Sequence, residues 1–309
     1  MEKDDYTASG YSHPQYAKSF MEYGTLIELP KSKGWILKRQ IPGFPAYDAM
    51  GCYPLFTCQE WSKLWADLEN IGDELVSLSM VVDPFGEYDL AYLHQCFKDV
   101  VIPFKKHFFV NLSKPMESFV SLHHRRYARK SLRDLDVARC ENPAEILGEW
   151  TRLYTELIKR HNIRGLLKFS RNTFAKQLRV PGINVFRASY KGTTVGALLW
   201  YVQGEVGYYH LGASSSLGYD LRASFALFWT AIEYFKSLGL GWLNLGAGAG
   251  FNDEGNDGLS RFKQGWSTGT HTAYFCGVIF DPEKYREIVK DKCIPNTNYF
   301  PAYRLGEFS

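Results

Sequence analysis

Several side chains in this sequence are of types that do chemistry. His210 follows Tyr208 and Tyr209 in the run VGYYHLGAS, where an imidazole can take a proton from an attacking amine or can simply serve as a structural hydrogen-bonding group. Tyr209 and Tyr219 can bind a substrate or pack in a core. Arg222 stands near the start of an alanine- and aromatic-rich helix, where a guanidinium pairs with a phosphate or carboxylate, or with a surface acid. Asp253 and Asp257 lie in a Gly/Asn/Asp-rich stretch from Ala247 to Gly258, suited to orienting an amine or to making turns. Upstream, SLHHRRYARKSLRD repeats Arg125, Arg126, Arg129, Lys130 and Arg133 at helical intervals. That pattern makes either a solvated helix face or a phosphate- or RNA-facing surface. His123 and His124 point apart on a helix, and none of the six cysteines has CxxC spacing, so no metal site is expected. No Ser-His-Asp or Cys-His arrangement supports a hydrolase.

The elements that must position these groups follow from periodicity. TLIELPKSKGWILKRQI reads as a hairpin turning at Lys31–Gly34, and Asp48–Phe56 as an extended run. Gln59–Ile71 has helical spacing, with Trp61, Leu64, Trp65 and Leu68 on one face. Leu75–Val82 reads as a strand, Asp89 as the N-cap of a helix reaching about Val100, and His107–Leu112 as another strand. Pro115–Arg133 is expected as one helix with a basic end. A domain boundary is expected near Glu141-Asn142-Pro143. After it come a helix at Ala144–Arg160 and three strands, Asn184–Tyr190, Thr194–Gln203 and Val206–Ala213. A helix at Leu221–Leu238 and a strand at Trp242–Gly246 follow, then a strand at Thr270–Phe280 and a last helix at Pro282–Val289. Gly212, Ala213 and Ser214 end a strand, and the turn Ser215–Leu221 leads into a helix whose free amides can hold an anion. The two halves share a coarse element order without a residue-level repeat, which makes internal duplication a hypothesis resting on order alone.

Bulk properties bound the reading. A chain of 309 residues accommodates two domains, and 45% hydrophobic with 22% charged residues is ordinary globular composition. An aromatic content of 16% suits an aromatic core or a cleft enclosing an extended ligand. A net charge of +3 is too mild for a dedicated nucleic-acid binder but permits an anionic ligand. The polar opening MEKDDYTASGYSHPQY carries no secretory segment, and no apolar run approaches the roughly 20 residues that span a bilayer. A cytoplasmic protein with reduced thiols is the expectation.

The run VGALL, then YYHLGAS, then the alanine- and aromatic-rich helix ending SLG, then LNLG and GLSRFKQGW resembles FemAB-like transferases and their GNAT-type acetyltransferase relatives. The resemblance is best from about Pro143 to Phe280, and the basic helix HHRRYARKSLRD matches the helix those proteins carry there. Its most specific element is Phe262–Trp266, after the Gly/Asp-rich loop; residues before about Ser113 match in general order only. It implies an α/β (α+β) fold of two tandem GNAT-like domains, each a mixed, mostly antiparallel sheet flanked by helices. The expected division is 1–141, with 291–309 as a closing segment, and 142–290.

It implies amide formation, in which an amine attacks an activated acyl group. The co-substrate is an aminoacyl-tRNA or an acyl-CoA, with no tightly bound cofactor. Both donors pass through an oxyanion that needs positive charge or N–H donors. Lys263 matches the lysine of the F-K run and is the candidate for that role, with Phe262 as its packing or binding neighbour. His210 is the second catalytic candidate. Tyr209, Tyr219, Arg222 and Asp253 are candidates for binding, and Arg125, Arg126, Arg129 and Lys130 for a tRNA or phosphate surface. The acetyl-CoA fingerprint Q/R-x-x-G-x-G/A is incomplete, since Ser216–Ala223 holds Gly218 but no paired glycines. That departure tilts the donor toward tRNA. The long coiled-coil insertion of some cell-wall members is absent. The acceptor is a small amine or a cell-wall precursor in peptidoglycan assembly, and the chain is expected to act as a monomer. Two rivals stand: a CoA-dependent acetyltransferase of an amino sugar or small metabolite, and a non-catalytic ligand- or RNA-binding module.

Overall fold

The structure is a computed structural model that describes residues 8–163, 165, 168–249 and 257–307. Its strands are β1 (Thr25–Leu29), β2 (Gly34–Gln40), β3 (Tyr47–Gly51), β4 (Ser77–Val81), β5 (Val100–Asn111), β6 (Asp136–Arg139), β7 (Ile183–Tyr190), β8 (Thr193–Gln203), β9 (Val206–Ser214), β10 (Trp242–Gly246) and β11 (Gly269–Ile279). Its helices are α1 (Pro14–Lys18), α2 (Leu64–Leu68), α3 (Leu90–Cys96), α4 (Met116–Phe119), α5 (Leu122–Asp134), α6 (Leu147–His161), α7 (Arg171–Gln177), α8 (Ser216–Asp220), α9 (Ala223–Ser237), α10 (Gly258–Gln264) and α11 (Pro282–Asp291).

The chain forms two compact units, one of residues 1–10 and 105–271, the other of 11–104 and 272–309. The expected division at 141–142 falls inside the first of these. In the 11–104/272–309 unit, β1, β2 and β3 form an antiparallel meander, β3 runs parallel to β4, and β4 pairs antiparallel with β11. In the 105–271 unit, β6, β7, β8 and β9 are antiparallel in turn, β9 runs parallel to β10, and β10 pairs antiparallel with β5. Each unit thus contains a meander, one parallel step and one closing strand. The closing strand is exchanged in both: β5 follows β4 in sequence yet closes β10, and β11 follows β10 yet closes β4. This exchange explains why the boundary falls at residues 104 and 271, inside the exchanged strands β5 and β11.

Packing follows the burial pattern. In the larger unit, Val110, Phe186, Leu198, Trp200, Leu243 and Leu245 from the sheet meet Ala128 of α5 and Ala223, Leu227, Phe228, Ala231 and Phe235 of α9. The small alanines of α9 let the helix lie close to the strands. The opposite sheet face carries α6 and α7, where Trp150, Tyr154 and Phe174 pack edge to face. In the other unit Leu29, Ile36, Leu78 and Met80 of the sheet bury Trp61, Leu64 and Leu93. Its C-terminal segment is tied down by Arg304, which donates to both carboxylate oxygens of the buried Asp48 at 2.8 Å.

Two expected elements differ in a way that bears on the site. The predicted helix Pro115–Arg133 breaks after α4, because Ser121 is extended and its Oγ accepts the His124 amide as an N-cap. The loop expected to run through Gly258 ends at Asp257, which caps α10, so Phe262 and Lys263 stand on a helix.

Candidate active site

The parallel pairing of β9 and β10 runs from Val206–Trp242 to Tyr208–Asn244 and stops. β9 continues six residues further to Ser214, and β10 only two to Gly246. The end of this parallel step is the natural opening in the sheet. Gly246 turns the chain there with a φ of +73°, a left-handed conformation in which only glycine carries no Cβ penalty. The chain then returns through α10. Asp257 fixes the start of that helix: its Oδ1 accepts from the amides of Leu259 at 2.8 Å and Ser260 at 3.0 Å, and its Oδ2 from Ser260 Oγ. Burial alone would raise this carboxyl, but the bonds from Ser260, Ala249 and Leu259 hold it at about 2.

Lys263 of α10 points back to that opening and is only 4% exposed. Its Nζ donates to Ala247 O at 2.6 Å and lies 5.2 Å from the centre of the Tyr209 ring. A Cβ on Gly246 would come within 3.2 Å of the same nitrogen. Burial, with the nearby Lys105 charge adding to it and Asp257 opposing, lowers the Lys263 amine to about 7. Desolvation makes a cation here costly, and a perturbed buried amine beside an opening is a candidate for chemistry.

Three more groups stand beside it that their own sequence contexts do not announce. Lys105 Nζ donates to Gly248 O at 3.3 Å. His107 Nδ1 lies 3.1 Å from Asn244 Oδ1, and the Gly246 amide donates to that same oxygen at 2.8 Å. Since the Gly246 N–H is a fixed donor, the oxygen of Asn244 must face it, and His107 must carry its proton on Nδ1. Burial pushes His107 down to about 4; Asn244 opposes this, while Lys263 and Lys105 add to it. It is therefore a neutral imidazole at physiological pH.

α10 is fastened to α5. His124 Nε2 donates to Phe262 O at 2.9 Å, its Nδ1 accepts from Ser121 Oγ at 2.7 Å, and the Ser121 amide donates to Gly265 O at 3.0 Å. Any side chain at Gly265 would run into the His124 imidazole. The Phe262 ring sits among Phe225, Phe228 and His124, with centroids 5.0–5.5 Å apart, so it packs behind Lys263. The signal for this clasp was the Ser-x-x-His spacing at a helix start, which reads as a cap without naming its far partner.

The remaining candidates fall in different places. Tyr209 lies with Lys263, on the sheet face that carries α9, 5.1 Å from Phe228. His210 faces the other way, against Phe169, Tyr201 and Gln177 Oε1, where burial lowers it to about 3. The structure does not bring it to the Lys263 side of β9. Tyr219 is 47% exposed on α8, with the Arg160 guanidinium 4.1 Å above its ring. Arg222 adopts a left-handed conformation between α8 and α9 and stacks 4.5 Å over Tyr127. Asp253 lies outside the described residues. Along α5, Arg126, Arg129, Lys130 and Arg133 are exposed, Arg125 is half-buried with its Nε unpartnered, and none of the five enters an ion pair among the described residues.

The turn between β9 and α9 is not an open cradle. The Gly218 amide is taken by Ser215 Oγ, the Tyr219 amide by Ser215 O, and the Arg222 amide by Tyr219 O. A Cβ at Gly218 would strike the Val195 carbonyl, so this glycine serves close packing of α8 on β8.

The matched domain is that of an acyltransferase. A family model described as "Acetyltransferase (GNAT) domain" matches residues 122–264, the stretch that holds α5, the parallel β9–β10 step and Lys263. Among solved structures, FemX aligns with a TM-score of 0.64 at 14% identity, covering 90% of this chain and 96% of that one. The C-terminal domain of a putative lysylphosphatidylglycerol synthetase from Agrobacterium fabrum aligns at 0.63 and 14%, covering 90% and 91%. L-PGS from Bacillus licheniformis aligns at 0.59 and 13%, covering 92% and 96%. No curated protein sequence matches significantly. The protein has the FemAB-like double GNAT fold, with a GNAT domain at residues 122–264. No helix among the described residues is long and apolar enough to cross a membrane.

Proposed function

We propose that the protein forms an amide by transferring an aminoacyl group from aminoacyl-tRNA to an amine acceptor at the opening between β9 and β10. The observation that carries this reading is Lys263: a buried amine at the end of the parallel step of a GNAT domain. Attack on an ester carbonyl develops negative charge on oxygen, and an ammonium fixed in a dry site offsets it without reorganising water. Tyr209 forms the wall beside that amine, and the clasp from α5 sets the position of the helix that carries it.

Two observations favour tRNA over a thioester donor. The amides of Gly218, Tyr219 and Arg222 are spent inside the turn, which leaves a poor cradle for a pyrophosphate. The cations of α5, which enter no ion pair among the described residues, offer a stripe for a phosphate backbone, where each neutralised phosphate releases counterions. Arg222 and Tyr219 stand at the turn where the donor end would enter. The name of one structural relative, a putative lysylphosphatidylglycerol synthetase, describes a lysyl group joined to a lipid. A cell-wall precursor or a small amine is the acceptor class. Six free cysteines suit a cytoplasmic setting.

A thermal-shift comparison tests the donor. Charged tRNA at 100 times its Kd should stabilise the protein by about 2.7 kcal/mol, and CoA or acetyl-CoA should not. Stabilisation by acetyl-CoA alone would move the protein to thioester-using acetyltransferases of amino sugars or small metabolites.

A further inference from the structure

An amine that attacks a carbonyl must lose a proton, and Lys263 is already committed to the oxyanion. The proton acceptor has to be neutral, with a bare nitrogen, near that lysine. His210 is on the other side of β9. His107 meets the description. It lies on β5, the strand that closes β10, and it bonds to Asn244, the last residue of β10 paired to β9. Gly246, against which Lys263 Nζ rests, donates to the same Asn244 oxygen. Lys263 and His107 therefore meet the same strand end, Asn244 to Gly246 of β10.

The hydrogen bonds also decide which nitrogen is available. Asn244 Oδ1 receives two donors, so its amide cannot flip without setting N–H against N–H. His107 then holds its hydrogen on Nδ1 and presents a lone pair at Nε2. Asn244 Nδ2 is buried and without a hydrogen-bond partner among the described residues. Such a donor lowers stability, and it is tolerated where it serves a site. Its presence marks Asn244 as a residue kept to orient His107 rather than to fill the core.

We infer that His107, held in one tautomer by Asn244, accepts the proton that the attacking amine sheds. The inference rests on the transfer reading above. The amine nitrogen bonds to the acyl carbon and its proton passes to His107 Nε2. On collapse the C–O bond of the ester donor breaks, and the same proton leaves with the departing hydroxyl. Asn244 acts through His107 and is a positioning residue. Among the described residues, the charged groups that bear on His107 are Lys263 from α10 and Lys105 from its own strand; Asp257 bears on Lys263. Burial, with lysine charge adding to it, keeps the imidazole neutral at physiological pH and makes the imidazolium, once formed, release its proton readily to the departing oxygen.

Two readouts test this. In ¹⁵N NMR of the full chain, His107 should be protonated at Nδ1 and bare at Nε2 at neutral pH. Its titration midpoint, about 4 in the native protein, should rise in Lys263→Met. In transfer of mixed aminoacyl groups from charged tRNA to hydroxylamine, His107→Gln should lose about 10²–10³-fold in kcat with little change in KM for tRNA. Added imidazole should restore part of the rate to His107→Ala. Asn244→Ala should lower kcat less and leave His107 in mixed tautomers. A native Nε2–H tautomer, or His107→Gln at the native rate, overturns the proposal. Absence of transfer by the native protein overturns the transfer reading, and this role with it; native transfer unaffected by His107→Gln overturns the role alone.

Discussion

At the scale of single residues, Lys263 carries two opposite pH dependences. Its amine sits at about 7 in the fold, against an ordinary value of 10.5. Oxyanion stabilisation needs the ammonium, so kcat/KM should fall as pH rises through about 7. Folding stability runs the other way. Between about 7 and 10.5 the unfolded chain binds the proton that the folded chain has lost, so stability should rise with pH across that window. Urea unfolding at pH 6, 8 and 10 would show the rise, and Lys263→Met should abolish it while leaving the melting temperature level or higher. The clasp beside Lys263 gives a second expectation. Gly265→Ala would force a methyl into the His124 ring, and should cost about 1–3 kcal/mol of stability, read by chemical denaturation.

Lys263 was legible in the sequence because it lies in the contiguous run FKQGW, whose resemblance points to it. His107, Asn244 and Lys105 were not, because nothing local distinguishes them. A histidine in KKHFFV reads as an ordinary strand residue, and its partner stands 137 positions away. The contact exists only because β5 closes β10, an exchange that periodicity cannot reveal. His210 shows the converse limit. Its position next to Tyr209 was plain, but strand alternation separates neighbours onto opposite faces.

At the scale of elements, α5 has two jobs on two faces. His124, Ala128 and Ser131 are buried, and hold α10 and the turn before α9. Arg126, Arg129, Lys130 and Arg133 are turned outward, and none of them enters an ion pair among the described residues. The helical spacing of the cations was visible in the sequence, whereas the break at Ser121 that starts the helix depended on the cap. If the outer stripe follows a phosphate backbone, changing Arg126, Arg129 and Lys130 to Gln should weaken tRNA binding and flatten its salt dependence by roughly one unit of slope per lost contact. The fold should be untouched, since exposed positions without partners contribute little to stability. Filter binding across a salt series would measure this. A slope equal to that of the native protein would remove α5 from the interface.

At the scale of the whole molecule, the two units repeat one plan: a meander, a parallel step and an exchanged closing strand. The order of strands other than β6 was readable from alternation and turns, and the double GNAT fold from resemblance. The exchange was hidden, and with it the division into units at residues 104 and 271. The unit of residues 11–104 and 272–309 depends on its returning segment, because Asp48 is fully buried and Arg304 supplies its paired hydrogen bonds. Arg304→Met should cost about 3 kcal/mol by leaving that carboxylate short of partners, with Arg39 3.8 Å away as partial compensation. Equilibrium unfolding in urea would show the loss as a lower midpoint.

The central claim is that Lys263 at the end of the parallel β9–β10 step drives acyl transfer. The most direct test sets native protein beside Lys263→Met, both checked for the same melting temperature. Each is given mixed charged tRNA with hydroxylamine, and the hydroxamate formed above the uncatalysed background is measured. The account predicts hydroxamate from the native protein and a loss of at least about 10²-fold in the variant. A folded Lys263→Met protein that forms hydroxamate at the native rate would contradict it.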